Sequence, residues 1–75
     1  MQAYILIQTD VGKATSVTSA LRELPGVLSA EEVIGPYDLI AKVEAPSVEN
    51  LGAGVITQIQ QVPGITRTLT CSVVR

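Results

Sequence analysis

The sequence predicts an α+β sandwich whose elements follow the order βαββαβ. Three observations carry that expectation. Stretches rich in β-branched residues alternate with stretches whose apolar residues recur at three- and four-residue spacings. Two proline–glycine steps, in ELPGV at 23–27 and QVPGI at 61–65, each close a helical pattern and open a strand pattern. The second lies 38 residues after the first, which marks two similar strand–helix–strand halves.

The first strand is expected over 3–9, AYILIQT. The first helix follows over about 11–24. Ala14, Val17, Leu21 and Leu24 lie on one helical face, Asp10 is placed to cap the free N–H groups, and Pro25-Gly26 stops the helix. The second strand is expected over 27–34. A turn at Gly35-Pro36 leads to the third, over 37–45. The second helix is expected over 48–62, with Ser47 as cap and Val48, Leu51, Val55, Ile59 and Val62 on one face. Gly52 and Gly54 each disfavour a helix by about 1 kcal/mol relative to alanine. Close packing against a strand or a second subunit is the expected reason for them. The last strand is expected over 65–74.

Right-handed crossovers put both helices on one face of a four-stranded antiparallel sheet, the ferredoxin-like arrangement. Leu39, Ala41 and Val43 then face the helices, as do Ile5 and Ile7. Tyr4, Leu6, Ile40, Lys42 and Glu44 point the other way. The hydroxyl row Thr66, Thr68, Thr70 and Ser72 is expected to share that second, uncovered face, with threonines pairing across strands. Such a face is suited to a second copy of the chain, so a homodimer through it is expected.

Size points the same way. The 75 residues form a single domain, 1–75, and only 16% of them are charged. A chain this short buries only about 60% of its unfolded surface, and oligomerisation is a common remedy. The five cations, Lys13, Arg22, Lys42, Arg67 and Arg75, are scattered and the net charge is −2. Direct nucleic-acid binding, which needs clustered cations, is not expected. No apolar run is long enough to span a bilayer. No basic leader opens MQAYILIQTD, and the single cysteine allows no internal disulfide. A cytoplasmic location is expected, with Cys71 as a small packed hydrophobe.

Catalytic chemistry finds little support. Histidine is absent, which removes the commonest general base and most zinc sites. There is no CxxC and no phosphate-binding glycine motif. Glu31 and Glu32 point to opposite faces of a strand and cannot act as a close pair. No enzymatic activity, cofactor or metal is expected.

The stretch IGPYD at 34–38 is different. As a plain hairpin, Gly35 supplies an unusual φ, Pro36 rigidifies, Tyr37 packs and Asp38 accepts local N–H groups. As a binding corner, exposed backbone near Gly35 and the Asp38 carboxylate hold an ammonium by charge-assisted hydrogen bonds. Backbone N–H groups or threonine hydroxyls answer a ligand carboxylate.

The Gly35-x-Tyr37-Asp38-Leu39 turn, the strand and helix after it, VPGI at 62–65 and TRTLT at 66–70 together resemble the effector-binding domain of Lrp/AsnC-family regulators. This is the RAM module (regulation of amino acid metabolism). The resemblance covers nearly the whole chain and is to the stand-alone form, without the helix-turn-helix domain. It implies sheet-mediated dimers assembling into rings, often four dimers making an octamer. It also implies an amino-acid effector held between dimers and a role in transcriptional or metabolic regulation, exerted through partners such as full-length relatives. The site it implies comprises Gly35, Pro36, Tyr37 and Asp38, joined by Thr68, Leu69 and Thr70. Pro36 replaces a polar residue often found at its position and removes one backbone donor. Thr68 and Thr70 read equally well as an interfacial ladder.

Two other readings stay open. TDVGKATSV at 9–17 loosely resembles the glycine turn of ACT domains, which also bind amino acids, and would place a site at Asp10 and Gly12. A purely structural oligomerisation module is the second.

Overall fold

The computed structural model describes residues 1–74; Arg75, among the five cations counted above, lies outside the described residues. Strand β1 (Gln2–Thr9) leads to helix α1 (Ala14–Arg22), then to the hairpin strands β2 (Val27–Glu32) and β3 (Leu39–Glu44). The second helix, α2, is built from three consecutive pieces. Val48–Asn50 is α-helical, Leu51–Ile56 is π-helical and Thr57–Gln60 is α-helical. Strand β4 (Ile65–Ser72) closes the fold. The strands form one four-stranded sheet in the order β2-β3-β1-β4, with every neighbouring pair antiparallel. This is the expected ferredoxin-like topology.

Alternation along the strands selects the core. Ala3, Ile5 and Ile7 of β1 and Leu39, Ala41 and Val43 of β3 are buried together with Val17 and Leu21 of α1 and Leu51, Val55 and Ile59 of α2. Both helices therefore lie on one face, as right-handed crossovers predicted. Each fully buried Leu or Ile side chain contributes about 1.5–3 kcal/mol. Leu24 and Val62 pack partly against this cluster, whereas Val48, expected on the buried face, stands 63% exposed. Thr18 is buried in α1 without penalty because its hydroxyl donates to Ala14 O at 2.7 Å.

The two proline–glycine turns perform equivalent tasks. Gly26 (φ +87°) follows α1 and packs on α2, and Gly64 (φ +98°) follows α2 and packs on α1. Gly26 O accepts Glu44 N–H and Gly64 O accepts Asp10 N–H, both at 2.8 Å. The sequence echo thus reflects two matching joints, each tying a helix exit to the end of a strand.

Several expectations are corrected. Asp10 is not a side-chain cap. The helix begins later, at Ala14, because Asp10–Gly12 forms a turn closed by Lys13 N–H to Asp10 O at 3.0 Å, with Gly12 at φ +77°. Ser47 does cap α2, accepting from Asn50 N–H at 3.1 Å. Gly52 and Gly54 are not explained by close packing on a strand, since an added Cβ at either meets nothing within 4 Å. The hydroxyl row is the largest correction. Thr68 lies opposite Ile7, Thr70 opposite Ile5 and Ser72 opposite Ala3. Directly opposed residues share a face, so the hydroxyls lie on the helix side of the sheet.

The uncovered face carries Tyr4, Leu6 and Gln8 of β1, Ile40 and Lys42 of β3, Glu31 of β2, and Arg67, Leu69 and Cys71 of β4. Tyr4 is 42% and Leu69 45% exposed. Lys42 Nζ sits 5.7 Å from the Tyr4 ring centroid, a cation–π contact. Cys71 is exposed rather than packed, because it stands opposite Tyr4 on an edge strand. On the other edge strand, Arg22 Nε and Nη2 donate to Ala30 O at 3.0 and 2.7 Å, occupying a carbonyl that β3 leaves free. No helix among the described residues is long and apolar enough to cross a membrane.

Candidate functional site

The β2–β3 connection, residues 33–38, is longer than the two-residue turn that its glycine–proline step first implies. Val33 N–H donates to Asp38 O at 3.0 Å and closes its base. Asp38 N–H donates to Ile7 O at 2.9 Å, and Gln8 Nε2 donates to Pro36 O at 3.0 Å, so the end of β1 holds the hairpin from one side. Gly35 does not adopt a positive φ, contrary to the hairpin expectation, and an added Cβ there would meet nothing within 4 Å. Its backbone lies open to solvent.

Asp38 is the pivot. Its Oδ2 accepts the Thr9 backbone N–H at 2.7 Å and the Thr9 hydroxyl at 3.4 Å. The carboxylate therefore stands in for a backbone acceptor where the ladder ends. It is half-buried, and its Oδ1 accepts no hydrogen bond from the described residues. One carboxylate oxygen thus anchors the corner, while the other keeps its lone pairs for a donor such as an ammonium.

Beside this corner lies a cleft of about 320 Å³. Leu6 and Ile40 line it from the uncovered sheet face, and Val33, Ile34, Gly35, Pro36 and Tyr37 line it from the hairpin. Its character is apolar. Ile34, at the hairpin tip, is fully exposed. Leu69 adjoins the cleft, since it is the cross-strand partner of Leu6.

The sequence-predicted site is thus divided. Gly35, Pro36 and Tyr37 come together around one cleft, Asp38 anchors their loop, and Leu69 stands on the same sheet face as Leu6. Thr68 and Thr70 lie on the opposite face. Thr68 there accepts from Gln60 Nε2 of α2 at 3.3 Å. Within one protomer these threonines do not reach the hairpin cleft. Gln8 and Thr9 are the residues that sequence reasoning missed. The available signal was a polar pair ending an otherwise aliphatic strand, in register with the glycine-to-aspartate turn. Asp10 and Gly12, the alternative site, form a tight backbone turn, with the Asp10 N–H engaged by Gly64.

The family described as "Lrp/AsnC ligand binding domain" matches residues 2–75. The HTH-type transcriptional regulator FL11 of Pyrococcus horikoshii is 31% identical over 75 residues, which are all of this chain and 49% of FL11. The chain thus spans about half the length of that regulator. The crystal structure of TTHA0845 from Thermus thermophilus superposes with a TM-score of 0.90 at 35% identity, covering 99% of this chain and 92% of that one. A transcriptional regulator of Neisseria meningitidis, NMB0573, whose structure is described as an L-Met complex, shares the fold with a TM-score of 0.84 at 20% identity. That match covers 99% of this chain and 49% of the regulator.

Proposed function

The chain belongs to the Lrp/AsnC ligand-binding domain family, and we propose that it is an amino-acid-responsive assembly module acting in the cytoplasm. The observation that carries this reading is the Asp38 corner. One carboxylate oxygen is fixed by Thr9 and the other is free, beside an apolar cleft formed by Gly35, Pro36 and Tyr37. A zwitterion with an apolar side chain suits both parts. Its ammonium meets Asp38 and its side chain meets the cleft.

The corner is open, so a neighbouring protomer completes it in this reading. Two copies join through the uncovered sheet faces, and such dimers meet at their hairpin corners in a ring. There Thr68 and Thr70 of neighbouring chains supply hydroxyls for the ligand carboxylate, while Leu69 borders the cleft from within the face that joins each pair. Pro36 offers no N–H, so that carboxylate depends on other donors. The effector shifts assembly only by binding one assembly state more tightly than another. The module has no catalytic step of its own, and its output passes through partner proteins, full-length Lrp/AsnC relatives among them.

Titration calorimetry over the common amino acids tests this, with size-exclusion chromatography in the presence and absence of each. Binding of at least one apolar amino acid, together with a change in elution, is the expected result. An intact assembly that takes up no amino acid at millimolar concentration sinks the sensor reading and leaves a structural oligomerisation module.

A further inference from the structure

We propose that Gln8 is a positioning residue for the hairpin cleft: its side-chain amide, by donating to the Pro36 carbonyl, holds the tip of the hairpin in the shape that takes up a ligand. This rests on the amino-acid reading of the cleft put forward above and adds what keeps the cleft formed.

The hairpin is tied firmly at its base. Val33 N–H donates to Asp38 O, Asp38 N–H donates to Ile7 O, and the Asp38 carboxylate accepts Thr9 N–H. The tip, Ile34 to Tyr37, is tied far less. Among the described residues its one hydrogen bond is that from Gln8 Nε2 to Pro36 O, at 3.0 Å. Packing adds little there. Ile34, Gly35 and Pro36 are all exposed, and a Cβ added at Gly35 meets nothing within 4 Å. Yet these four tip residues line the cleft of about 320 Å³ from the hairpin side. The wall that a ligand meets thus hangs on one side-chain amide.

Both partners suit the task. Pro36 has a fixed φ and no N–H, so its carbonyl is its only polar handle. Gln8 is delivered by an irregularity at the end of β1. Gln8 stands opposite Arg67 but Thr9 stands opposite Ile65, so the pairing passes over Thr66. A bulge of this kind bends the pair of strands and re-aims side chains. Two successive residues then grip the same hairpin, Thr9 through its N–H at the base and Gln8 through its side chain at the tip. Gln8 lies outside the buried cluster that holds the protomer together. Its loss therefore acts on the tip and not on the whole fold.

The test compares the wild type with Gln8→Met, which keeps length without a donor, and Gln8→Glu, which keeps shape and adds a charge. Each chain is assayed by calorimetry with the twenty common L-amino acids, by thermal melting, and by backbone ¹⁵N order parameters of Ile34, Gly35 and Tyr37. Both variants are expected to melt as the wild type does and to show lowered order at the tip. Both are expected to bind the wild type's tightest amino acid about five- to tenfold more weakly, the factor that one hydrogen bond supplies. Weakened binding with an ordered tip, or tighter binding by Gln8→Glu, means that Gln8 meets the ligand itself and overturns the positioning role. A loosened tip with unchanged affinity overturns it too, since the tip then does not shape the cleft. So does a lowered melting temperature with unchanged affinity, which makes Gln8 a structural residue only. A wild-type chain that takes up none of the twenty overturns the amino-acid reading and the positioning role together.

Discussion

The Asp38 carboxylate accepts the backbone N–H of Thr9 at 2.7 Å, beside the point where the β1–β4 register shifts between Gln8 and Thr9. The side chain closes a strand end that the backbone leaves open. The same residue thus serves the fold with one oxygen and is available to a ligand with the other. Two substitutions separate these roles. An asparagine side chain keeps an acceptor for Thr9 and loses the charge, so Asp38→Asn is expected to leave the melting temperature nearly unchanged and to abolish amino-acid binding in calorimetry. Asp38→Ala is expected to lose binding and also about 1–2 kcal/mol of stability by denaturant titration, because the Thr9 N–H loses its partner.

Gly26 tests the matched joints. An added Cβ there lies 2.7 Å from Val55 Cγ2 and 3.0 Å from the carbonyl of Glu44, and φ is +87°. The valine has some freedom to rotate away, but the strand carbonyl has little. Gly26→Ala is expected to destabilise the fold by about 2 kcal/mol or more, combining a left-handed backbone with overpacking. Gly64→Ala meets Lys13 Cβ and Val17 Cγ2 at 3.1 Å and is expected to cost less. Urea unfolding of both variants checks the order, and equal losses would count against the joint geometry.

Gly52 and Gly54 give the opposite expectation. They sit in the π-helical stretch with open space around them and no positive φ. Alanine at either position fits the backbone and removes unfolded-state freedom. Gly52→Ala and Gly54→Ala are each expected to stabilise the protein by about 0.5–1 kcal/mol in thermal or urea unfolding. Stabilisation with loss of higher assembly by chromatography would instead show that another subunit occupies this outer helix face.

The element order and the core were legible because periodicity is a local property. Ile5 and Ile7, Leu39 to Val43, and Val17 with Leu21 fall on their faces through spacing alone. The proline–glycine turns were legible for the same reason. The side of β4 was not. Thr66 to Ser72 alternates cleanly, but alternation says nothing about which face meets the helices, and only the register opposite Ile5 and Ile7 settles it. Periodicity misled at Val48, which is the first residue of α2 and stands exposed where the later positions of the same face are buried. The π-helical widening left no trace in the spacing of Leu51, Val55 and Ile59. At the candidate site the turn residues were visible in sequence, whereas Thr9 was not. A backbone N–H that binds a carboxylate 29 positions away is set by tertiary register and carries no side-chain signature.

Leu69 is the simplest probe of the uncovered face. It is 45% exposed, lies opposite Leu6 and lies outside the buried cluster that holds the protomer together. A charge there has water around it in the monomer and none if the face is covered by a second copy. Leu69→Asp is therefore expected to leave the circular dichroism spectrum in place while converting the proposed sheet-to-sheet dimer to monomer by sedimentation. Burial of an unpaired carboxylate costs several kcal/mol, enough to raise a dissociation constant by orders of magnitude. Leu28→Asp serves as a control, since Leu28 is 51% exposed near the irregular start of the β2–β3 pairing and away from the Leu6–Leu69 row. It is expected to leave the dimer intact. If Leu69→Asp sediments as wild type does, the uncovered sheet is not the joining surface, and the hairpin corners must be brought together by another part of the molecule.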